Sequence, residues 1–179
     1  MKKTDIIFAI IGGFFVAWLA TDFLDKKYAL FLYIFFPIFS IFCLVLANWL
    51  AKWKPFIFEA GKFVLAGGVA DIIDIRAFQL IILFVPASLV VKALSFLIAV
   101  AIKYFANKLW VFQKTEKNNI HKEAGQFLII TLGGLALNVA SFYCATKFIN
   151  IELSIIFSAI VASVWNFCGY KFFVFKKII

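Results

Sequence analysis

The sequence predicts an all-α membrane protein with six transmembrane helices. Of its 179 residues, 65% are hydrophobic and only 15% are charged, and phenylalanine alone accounts for 25. A soluble domain of this size needs a polar exterior, for which this chain has too few polar residues. A lipid bilayer removes that need, because the outside of a helix bundle can then be as apolar as its inside.

Six apolar runs are each long enough to cross a bilayer, which takes about 20 residues at 1.5 Å each. They are Ile6–Phe23, Tyr28–Leu50, Phe63–Val85, Ala87–Phe112, Phe127–Ile149 and Leu153–Phe175. Between them lie Asp25-Lys26-Lys27, Lys54-Pro55, Pro86, the basic run Lys114–Lys122 and Asn150. The first run follows Lys2 and Lys3 as a signal peptide would, but Trp18 and Phe23 stand where a small-residue cleavage site is needed. We therefore expect it to stay in the mature protein.

The basic residues predict the orientation of the spans. With six spans, both termini and the second and fourth loops share one side, which holds Lys2, Lys3, Lys52, Lys54, Lys62, Lys103, Lys108, Lys114, Lys117, Lys122, Lys171, Lys176 and Lys177. The other side holds only Lys26, Lys27, Lys92 and Lys147, and Arg76 lies within a span. The positive-inside rule then predicts a multi-pass protein of the cytoplasmic membrane with both termini cytoplasmic. Trp49, Trp53 and Trp110 near the cytoplasmic ends suit interfacial anchors.

The net charge of +9 would suit a nucleic-acid binder, but the lysines lie at the ends of apolar runs. No soluble domain remains to bind nucleic acid, so we expect anionic lipid headgroups as the partner of these charges. The three cysteines, Cys43, Cys144 and Cys168, fall inside apolar runs. We interpret them as buried small hydrophobic residues rather than disulfide or metal sites.

The last four spans contain an internal repeat. Glu59–Phe63 (EAGKF) recurs as Glu123–Phe127 (EAGQF) after 64 residues, and Lys103–Phe112 recurs as Asn166–Phe175 after 63 residues. Each copy holds two spans, so both copies cross the membrane in the same direction. The sequence therefore predicts a parallel repeat whose pseudo-axis runs along the membrane normal. The first two spans match neither copy and form an added hairpin.

The repeated pattern resembles the GtrA-like family of small membrane proteins. The family pattern is an aromatic opening, a Gly-Gly step, an acid and a basic-aromatic ending, here Phe63, Gly67-Gly68, Asp74 and Asn107–Phe112. The second copy departs from it, with Tyr170 in place of Asn107 and Phe173 in place of Trp110. The resemblance covers roughly Phe58 to Lys177. It divides the chain into an N-terminal transmembrane hairpin, residues 1–57, and a GtrA-like four-helix transmembrane domain, residues 58–179.

The resemblance implies a role in moving polyprenyl-phosphate-linked sugars for cell-envelope polysaccharide or glycoconjugate synthesis. On that basis we expect a flippase that is not an enzyme and carries no cofactor. Its expected partners are the polyprenyl-phosphate-linked sugar, anionic lipids and a membrane glycosyltransferase. A core of only four spans is also compatible with a homodimer.

Polar residues inside the spans are the candidate site. At about 100° per residue, one face of the third span combines Gly67, Gly68, Asp71, Asp74 and Gln79, and one face of the fifth combines Thr131, Gly134, Asn138, Ser141 and Ala145. Small residues let helices approach closely, so we interpret the glycines and the fifth span as a packing seam. The acids do not fit that interpretation, because a mid-span carboxylate costs a few kcal/mol unless paired, protonated or hydrated. Asp71 and Asp74 therefore predict a cavity or a basic partner.

Arg76 lies about 140° around the helix from Asp71 and further from Asp74. An unbroken helix cannot pair these residues with each other. Either the helix breaks after Gly68, or Arg76 reaches another helix or the outer headgroups. Both a structural and a ligand-binding role stay open.

A second group of polar residues follows the fourth and sixth spans. Lys92, Ala99, Lys103 and Asn107 form one stripe, and Ala159, Ala162, Asn166 and Tyr170 form its equivalent. Lys103 is either a snorkelling lysine or a phosphate ligand beside hydrogen-bond donors from Asn107, Asn166 and Tyr170. Lys108 and Lys171 project from the opposite faces, where anchoring to anionic lipid is their expected role. The candidate ligand-binding residues are thus Lys103, Asn107, Asn166, Tyr170, Asp71, Asp74, Arg76 and Asn138.

Four functions are compatible with this pattern. A transporter of lipid-linked sugar fits a polar stripe from Lys103 through Asp71 and Asp74 to Arg76. A module that recruits a glycosyltransferase, or presents its lipid substrate, fits the basic rim equally well. A metal-dependent transferase would need more carboxylates than Asp71 and Asp74 supply. A proton-coupled exporter of small cations could use either acid as the proton carrier. We favour the transporter because of the family resemblance.

Overall fold

The computed structural model describes residues 1–85, 87–114 and 120–176, and all regular structure in these ranges is helical. The six α-helices are α1 (Lys3–Ala20), α2 (Ala29–Leu50), α3 (Phe56–Ile81), α4 (Ser88–Ala106), α5 (Ile120–Ala145) and α6 (Ile151–Gly169). A short 3₁₀-helix (Lys26–Tyr28) precedes α2, and π-helices (Asn107–Val111 and Tyr170–Val174) extend α4 and α6. The all-α prediction is confirmed. Pro86, Lys117 and Lys177, used above as a break and as charges, lie outside the described residues.

Within the described ranges, five helices are long and apolar enough to cross a membrane. They are Lys3–Ala20, Lys26–Leu50, Leu89–Val111, Ile120–Ala145 and Leu153–Val174. The remaining helix, α3, is long enough at 26 residues but contains five charged residues, Glu59, Lys62, Asp71, Asp74 and Arg76. It begins at Phe56, seven residues before the predicted span, because the prediction followed the uninterrupted apolar run and so left out the turns that contain Glu59 and Lys62.

The first compact unit, Met1–Gln113, contains α1 to α4. Gly13 of α1 lies directly against the backbone at Pro37 of α2, where an added Cβ would collide with it. Gly12 lies against Leu65 of α3, 2.7 Å from where a Cβ would stand. Pro37 removes one backbone hydrogen bond of α2, and Gly13, which has no side chain, allows α1 to pack closely at that point. The Gly12-Gly13 pair therefore allows α1 to pack closely on both α2 and α3.

The second compact unit, Lys114–Ile179, contains α5 and α6. Asn150 caps α6 by accepting a hydrogen bond from the Leu153 backbone N–H at 2.9 Å. Gly133 of α5 lies against the indole of Trp165, and Gly169 of α6 lies against Ile130. Small residues on both helices thus allow this pair to pack closely.

The element bounds of the two helix pairs follow the offsets of the sequence repeat. Residues 56–81 and 120–145 are both helices of 26 residues, shifted by 64. Residues 88–106 and 151–169 are both helices of 19 residues, shifted by 63. Each second helix ends in a five-residue π-helix, closed by Phe112 N–H to Asn107 C=O at 2.9 Å and Phe175 N–H to Tyr170 C=O at 2.7 Å. The relation of the pairs about the membrane normal stays a prediction.

Two expectations about individual side chains were wrong. Cys43, Cys144 and Cys168 are free and exposed on the helix surfaces rather than buried, because apolar runs in a thin helical unit face outward as much as inward. Trp110 is only 5% exposed, so it is part of the protein interior and not an interfacial anchor. Trp49 and Trp53 are exposed, as anchors require.

Candidate functional site

An ion pair and a hydrogen bond within the first unit join α3 to α4. The Lys92 ammonium donates to Asp74 Oδ2 at 2.5 Å, and the Ser95 hydroxyl donates to Asp74 Oδ1 at 2.6 Å. Ser95 is completely buried, whereas the Lys92 side chain is 55% exposed. The predicted basic partner of a mid-span acid is therefore found for Asp74, on the neighbouring helix, where spacing along α3 alone could not locate it.

Asp71, one turn before Asp74, is exposed and makes no hydrogen bond or ion pair within the described part of the chain. It is close enough to Lys103, Lys92 and Asp74 to interact with them electrostatically. On the same face of α3, a Cβ added at Gly67 or Gly68 would meet no heavy atom within 4 Å. Within the described part of the first unit nothing packs against these two glycines, so this part does not contain the packing seam predicted for them. They border open space beside Asp71.

Lys103 and Asn107 lie at the other end of the α4 stripe. Lys103 is half-buried, and its ammonium has no hydrogen-bond or ion-pair partner among the residues that the structure describes. Asn107 is completely buried and donates from Nδ2 to the Lys103 carbonyl at 2.7 Å, but its Oδ1 accepts no hydrogen bond. Unpaired buried polar atoms are uncommon in folded proteins. This end of the stripe therefore combines an available cation with an unsatisfied amide oxygen.

Lys108 does not project to the surface as predicted. It is 6% exposed and its ammonium donates to the Tyr104 hydroxyl at 3.4 Å. The π-helix that begins at Asn107 has wider turns than an α-helix, which changes the direction in which the following side chains point. The prediction assumed α-helical periodicity through Trp110 and failed there.

Arg76 contacts the end of α1 rather than the acids of its own helix. Its guanidinium donates to Asp22 Oδ2 at 2.7 Å, to Gln79 Oε1 at 2.8 Å and to the Trp18 carbonyl at 2.6 Å. It also lies 4.4 Å from the centroid of the Trp18 ring. Helix α3 is unbroken after Gly68, so of the two explanations for Arg76, contact with another helix is confirmed. The structure does not join Arg76 to Asp71 or Asp74.

The second unit places its predicted residues in the contact between α5 and α6. The completely buried Tyr170 shares a hydrogen bond of 2.6 Å with Thr131 and stacks on Phe127 at a centroid distance of 4.2 Å. Asn166 lies directly against Gly134, and its Oδ1 has no partner. Asn138, one turn after Gly134, is half-buried. The fifth span therefore does form a packing seam, which includes Asn166 and Tyr170.

Sequence reasoning missed the most buried ion pair. Asp5 and Lys62 form a salt bridge of 2.6 Å, each with a side chain 2% exposed, and Trp110 Nε1 donates to Asp5 Oδ1 at 2.9 Å. Phe8 stacks on Trp110 at 4.6 Å. This cluster ties the added hairpin to α3 and to the π-helix after α4. The sequence does contain one signal of this pair: Asp5 stands at the start of an apolar run, where a carboxylate has to be paired or solvated.

The length and apolarity of these helices define a multi-pass membrane protein, in which α3 and α4 carry polar residues within the helices. The chain belongs to the GtrA/DPMS transmembrane domain family, whose match covers residues 62–175. The predicted family is thereby confirmed, and it points to lipid-linked sugar glycosylation by a generally non-catalytic class of protein. The match begins within α3 and leaves α1 and α2 outside. Searches among curated proteins and among solved structures found no match.

Proposed function

We propose that the protein moves a polyprenyl-phosphate-linked sugar across the cytoplasmic membrane for cell-surface polysaccharide or glycoconjugate synthesis. One observation carries the proposal: the exposed Asp71 carboxylate borders the open space at Gly67 and Gly68. A carboxylate at this depth costs a few kcal/mol unless it meets water or a polar group. A polar headgroup that passes along this face supplies such a group, whereas lipid chains alone do not.

Lys103 is the proposed first contact for the phosphate. Its ammonium has no partner among the described residues and lies on the same face as Asp71. A lysine ammonium binds phosphate as a point charge, and the partly buried setting strengthens the interaction. The unsatisfied Asn107 Oδ1 is buried one turn from Lys103, so it can accept a hydrogen bond from a sugar hydroxyl only if the headgroup displaces the side chains that cover it. In the second unit by itself, Asn138 and Asn166 stay candidate ligands, whereas Tyr170 is completely buried against Thr131 and Phe127.

The pair of Asp74 and Lys92 is the proposed second step. Lys92 is more than half exposed, so its ammonium can leave Asp74 and pair with an arriving phosphate while Ser95 still donates to the carboxylate. The exchange keeps the Lys92 ammonium and the phosphate paired within the membrane, while Asp74 keeps the hydrogen bond from Ser95. This gives the headgroup a sequence of cationic contacts along the face of α3 and α4.

The proposed topology adds α3 to the five candidate spans, which makes six, and places both termini in the cytoplasm. The hairpin of residues 1–57 then precedes a four-helix domain of residues 58–179. Lys62 and Arg76 of α3 pair with residues of the hairpin and Asp74 pairs with α4, so the exposed Val64 and Leu80 are available to face lipid. A single cysteine at the His121 position should react with a membrane-impermeant thiol reagent only from the cytoplasmic side. Labelling of that cysteine from outside intact cells contradicts this orientation.

The binding step is tested by comparing Lys103→Ala with Lys54→Ala. Lys54 is exposed on the same proposed side, whereas the buried Lys108 is unsuitable as a control. Each substitution removes about 1 kcal/mol of nonspecific attraction to an anionic lipid. Lys103→Ala should weaken binding of the sugar lipid by a further 1–2 kcal/mol, or about 5- to 30-fold. Ligand-dependent thermal stabilisation in detergent measures the difference, and equal losses for the two variants contradict the role of Lys103.

Transfer between leaflets is measured separately, in reconstituted vesicles. The main alternative is a module that recruits a glycosyltransferase or presents its lipid substrate, either alone or as a homodimer. The transporter proposal requires the purified protein to move the sugar lipid without that enzyme. Normal binding with no transfer contradicts transport and favours the recruiting module.

A further inference from the structure

A second polar site lies where α1 ends against the last turns of α3, at the end of the first unit opposite the N-terminus. A cavity of about 500 Å³ opens there. It is lined by Phe15, Trp18, Ile73, Arg76, Gln79 and Leu80, among others. The walls are almost entirely apolar, and Arg76 supplies the one charged group among the lining residues. Such a cavity suits an amphiphile whose polar end is anionic.

The guanidinium of Arg76 is held rigidly in this cavity. Hydrogen bonds to Asp22, Gln79 and the Trp18 carbonyl fix its plane, and the Trp18 ring covers one face. The Arg76 side chain is only 14% exposed, so water does not compensate for a missing partner. A guanidinium that is oriented before binding loses little conformational entropy when it binds a planar or tetrahedral anion.

These contacts leave two donors of the fixed guanidinium without an acceptor, one at Nη2 and one at Nε. An arginine carries five N–H donors, of which three are used by the contacts within the protein. Arg76 Nε is buried and has no acceptor. Buried N–H groups without a partner are rare, so an oxygen from outside the chain is expected at this position.

We infer that this cavity binds the phosphate of a membrane lipid, with a phosphate oxygen accepting from Arg76 Nε and the lipid chain lying along Phe15 and Leu80. Arginine is the side chain best suited to phosphate, because its fork of donors matches the phosphate oxygens. The inference does not depend on transport, since an isoprenyl phosphate and a glycerophospholipid both present this chemistry. The added hairpin supplies half of the site through Phe15, Trp18 and Asp22.

Asp22 provides the matched control, because it has the opposite expected effect on the ligand. Its carboxylate competes with a bound phosphate for Arg76 and repels it. Arg76→Gln should weaken lipid-phosphate binding by at least about tenfold, while Asp22→Asn should strengthen it by up to about fivefold. If the Arg76–Asp22 ion pair serves only to hold α1 on α3, both substitutions lower thermal stability, and neither changes the affinity for the lipid phosphate. Leu80→Trp should fill the cavity and block binding while leaving Arg76 intact.

The test is a calorimetric titration of the full chain in neutral detergent with farnesyl phosphate, dioleoyl phosphatidic acid, inorganic phosphate and farnesol. The titrations are repeated in the Lys103→Ala chain, so that binding at the opposite end is separated from binding at Arg76. We expect the two lipid phosphates, or one of them, to bind more tightly than inorganic phosphate and farnesol. Preference for farnesyl phosphate assigns the site to an isoprenyl lipid, and equal binding assigns it to lipid phosphates in general. Unchanged affinity in both Arg76→Gln and Leu80→Trp overturns the inference.

Discussion

The helix pair α3–α4 and the helix pair α5–α6 have equal lengths and equal π-helical ends, but they differ in charge. At equivalent positions the first pair has Asp71, Asp74, Lys92, Lys103 and Lys62, where the second has Leu135, Asn138, Ile155, Asn166 and Gln126. Each of these five charges is thus replaced by a neutral residue, whereas Glu59 and Lys108 have the charged counterparts Glu123 and Lys171. The backbone geometry persists without the charges, so they are not needed to form a helix pair of this kind.

The two pairs also differ in what covers them. Trp110 is 5% exposed beneath α1, whereas its equivalent Phe173 is 72% exposed. Gly133 and Gly134 are packed against side chains of α6, whereas Gly67 and Gly68 border open space. The second pair is therefore tightly packed and carries no charge at the five positions compared, and the first is charged at them and has an open face and an added hairpin.

The largest expected effect is on the buried Asp5–Lys62 ion pair, which has no counterpart in the second helix pair. Asp5→Leu should lower the free energy of unfolding by roughly 3–5 kcal/mol, because it leaves the Lys62 ammonium buried without its counter-ion. Gln126→Leu, at the position equivalent to Lys62, should change the free energy of unfolding by less than about 1 kcal/mol. Thermal unfolding in detergent measures both. The double variant Asp5→Leu/Lys62→Leu should recover most of the loss, and a double variant as unstable as the single one contradicts this account.

A smaller effect is expected when the first pair is given the residues of the second. Asp74→Asn alone leaves Lys92 unpaired and should lower the free energy of unfolding by roughly 1–3 kcal/mol. Asp74→Asn/Lys92→Ile copies Asn138 and Ile155, and should restore stability to within about 1 kcal/mol of the wild type. Transfer of the sugar lipid should nevertheless fall at least about tenfold in both variants, because the second cationic contact is altered or lost. Transfer at the wild-type rate by the double variant would show that the ion pair is structural only.

The smallest effects are expected at the glycines. Gly134→Ala should be destabilising by roughly 1–3 kcal/mol, because the new Cβ would collide with Asn166. Gly68→Ala should be neutral, or stabilising by up to about 1 kcal/mol, since a Cβ meets nothing there and alanine favours the helix. Melting temperatures of the two variants, compared under one set of conditions, measure the difference. Equal destabilisation would mean that the open face of α3 is packed in the folded protein.

The sequence predicts the helices well, because a bilayer requires a run of about 20 apolar residues and few other structures contain one. It predicts the contacts less well. The pairing of Asp5 with Lys62 spans 57 residues and leaves no periodic signal, and the pairing of Asp74 with Lys92 depends on how α4 is rotated against α3. Lys108 was placed on the wrong face because a π-helix is not visible in hydrophobic periodicity. Local pattern thus determines where each helix lies in the chain, while packing determines which polar residues meet.

The central claim is that the headgroup crosses along the open face of α3 and α4, and a bulky residue on that face tests it most directly. Gly68 and Gly125 both border open space, but only Gly68 lies in the charged helix pair. We predict that Gly68→Phe folds and abolishes transfer of a fluorescent polyprenyl-phosphate sugar in reconstituted vesicles, while Gly125→Phe folds and transfers it at the wild-type rate. Transfer by Gly68→Phe at the same rate as Gly125→Phe and the wild type would contradict the account.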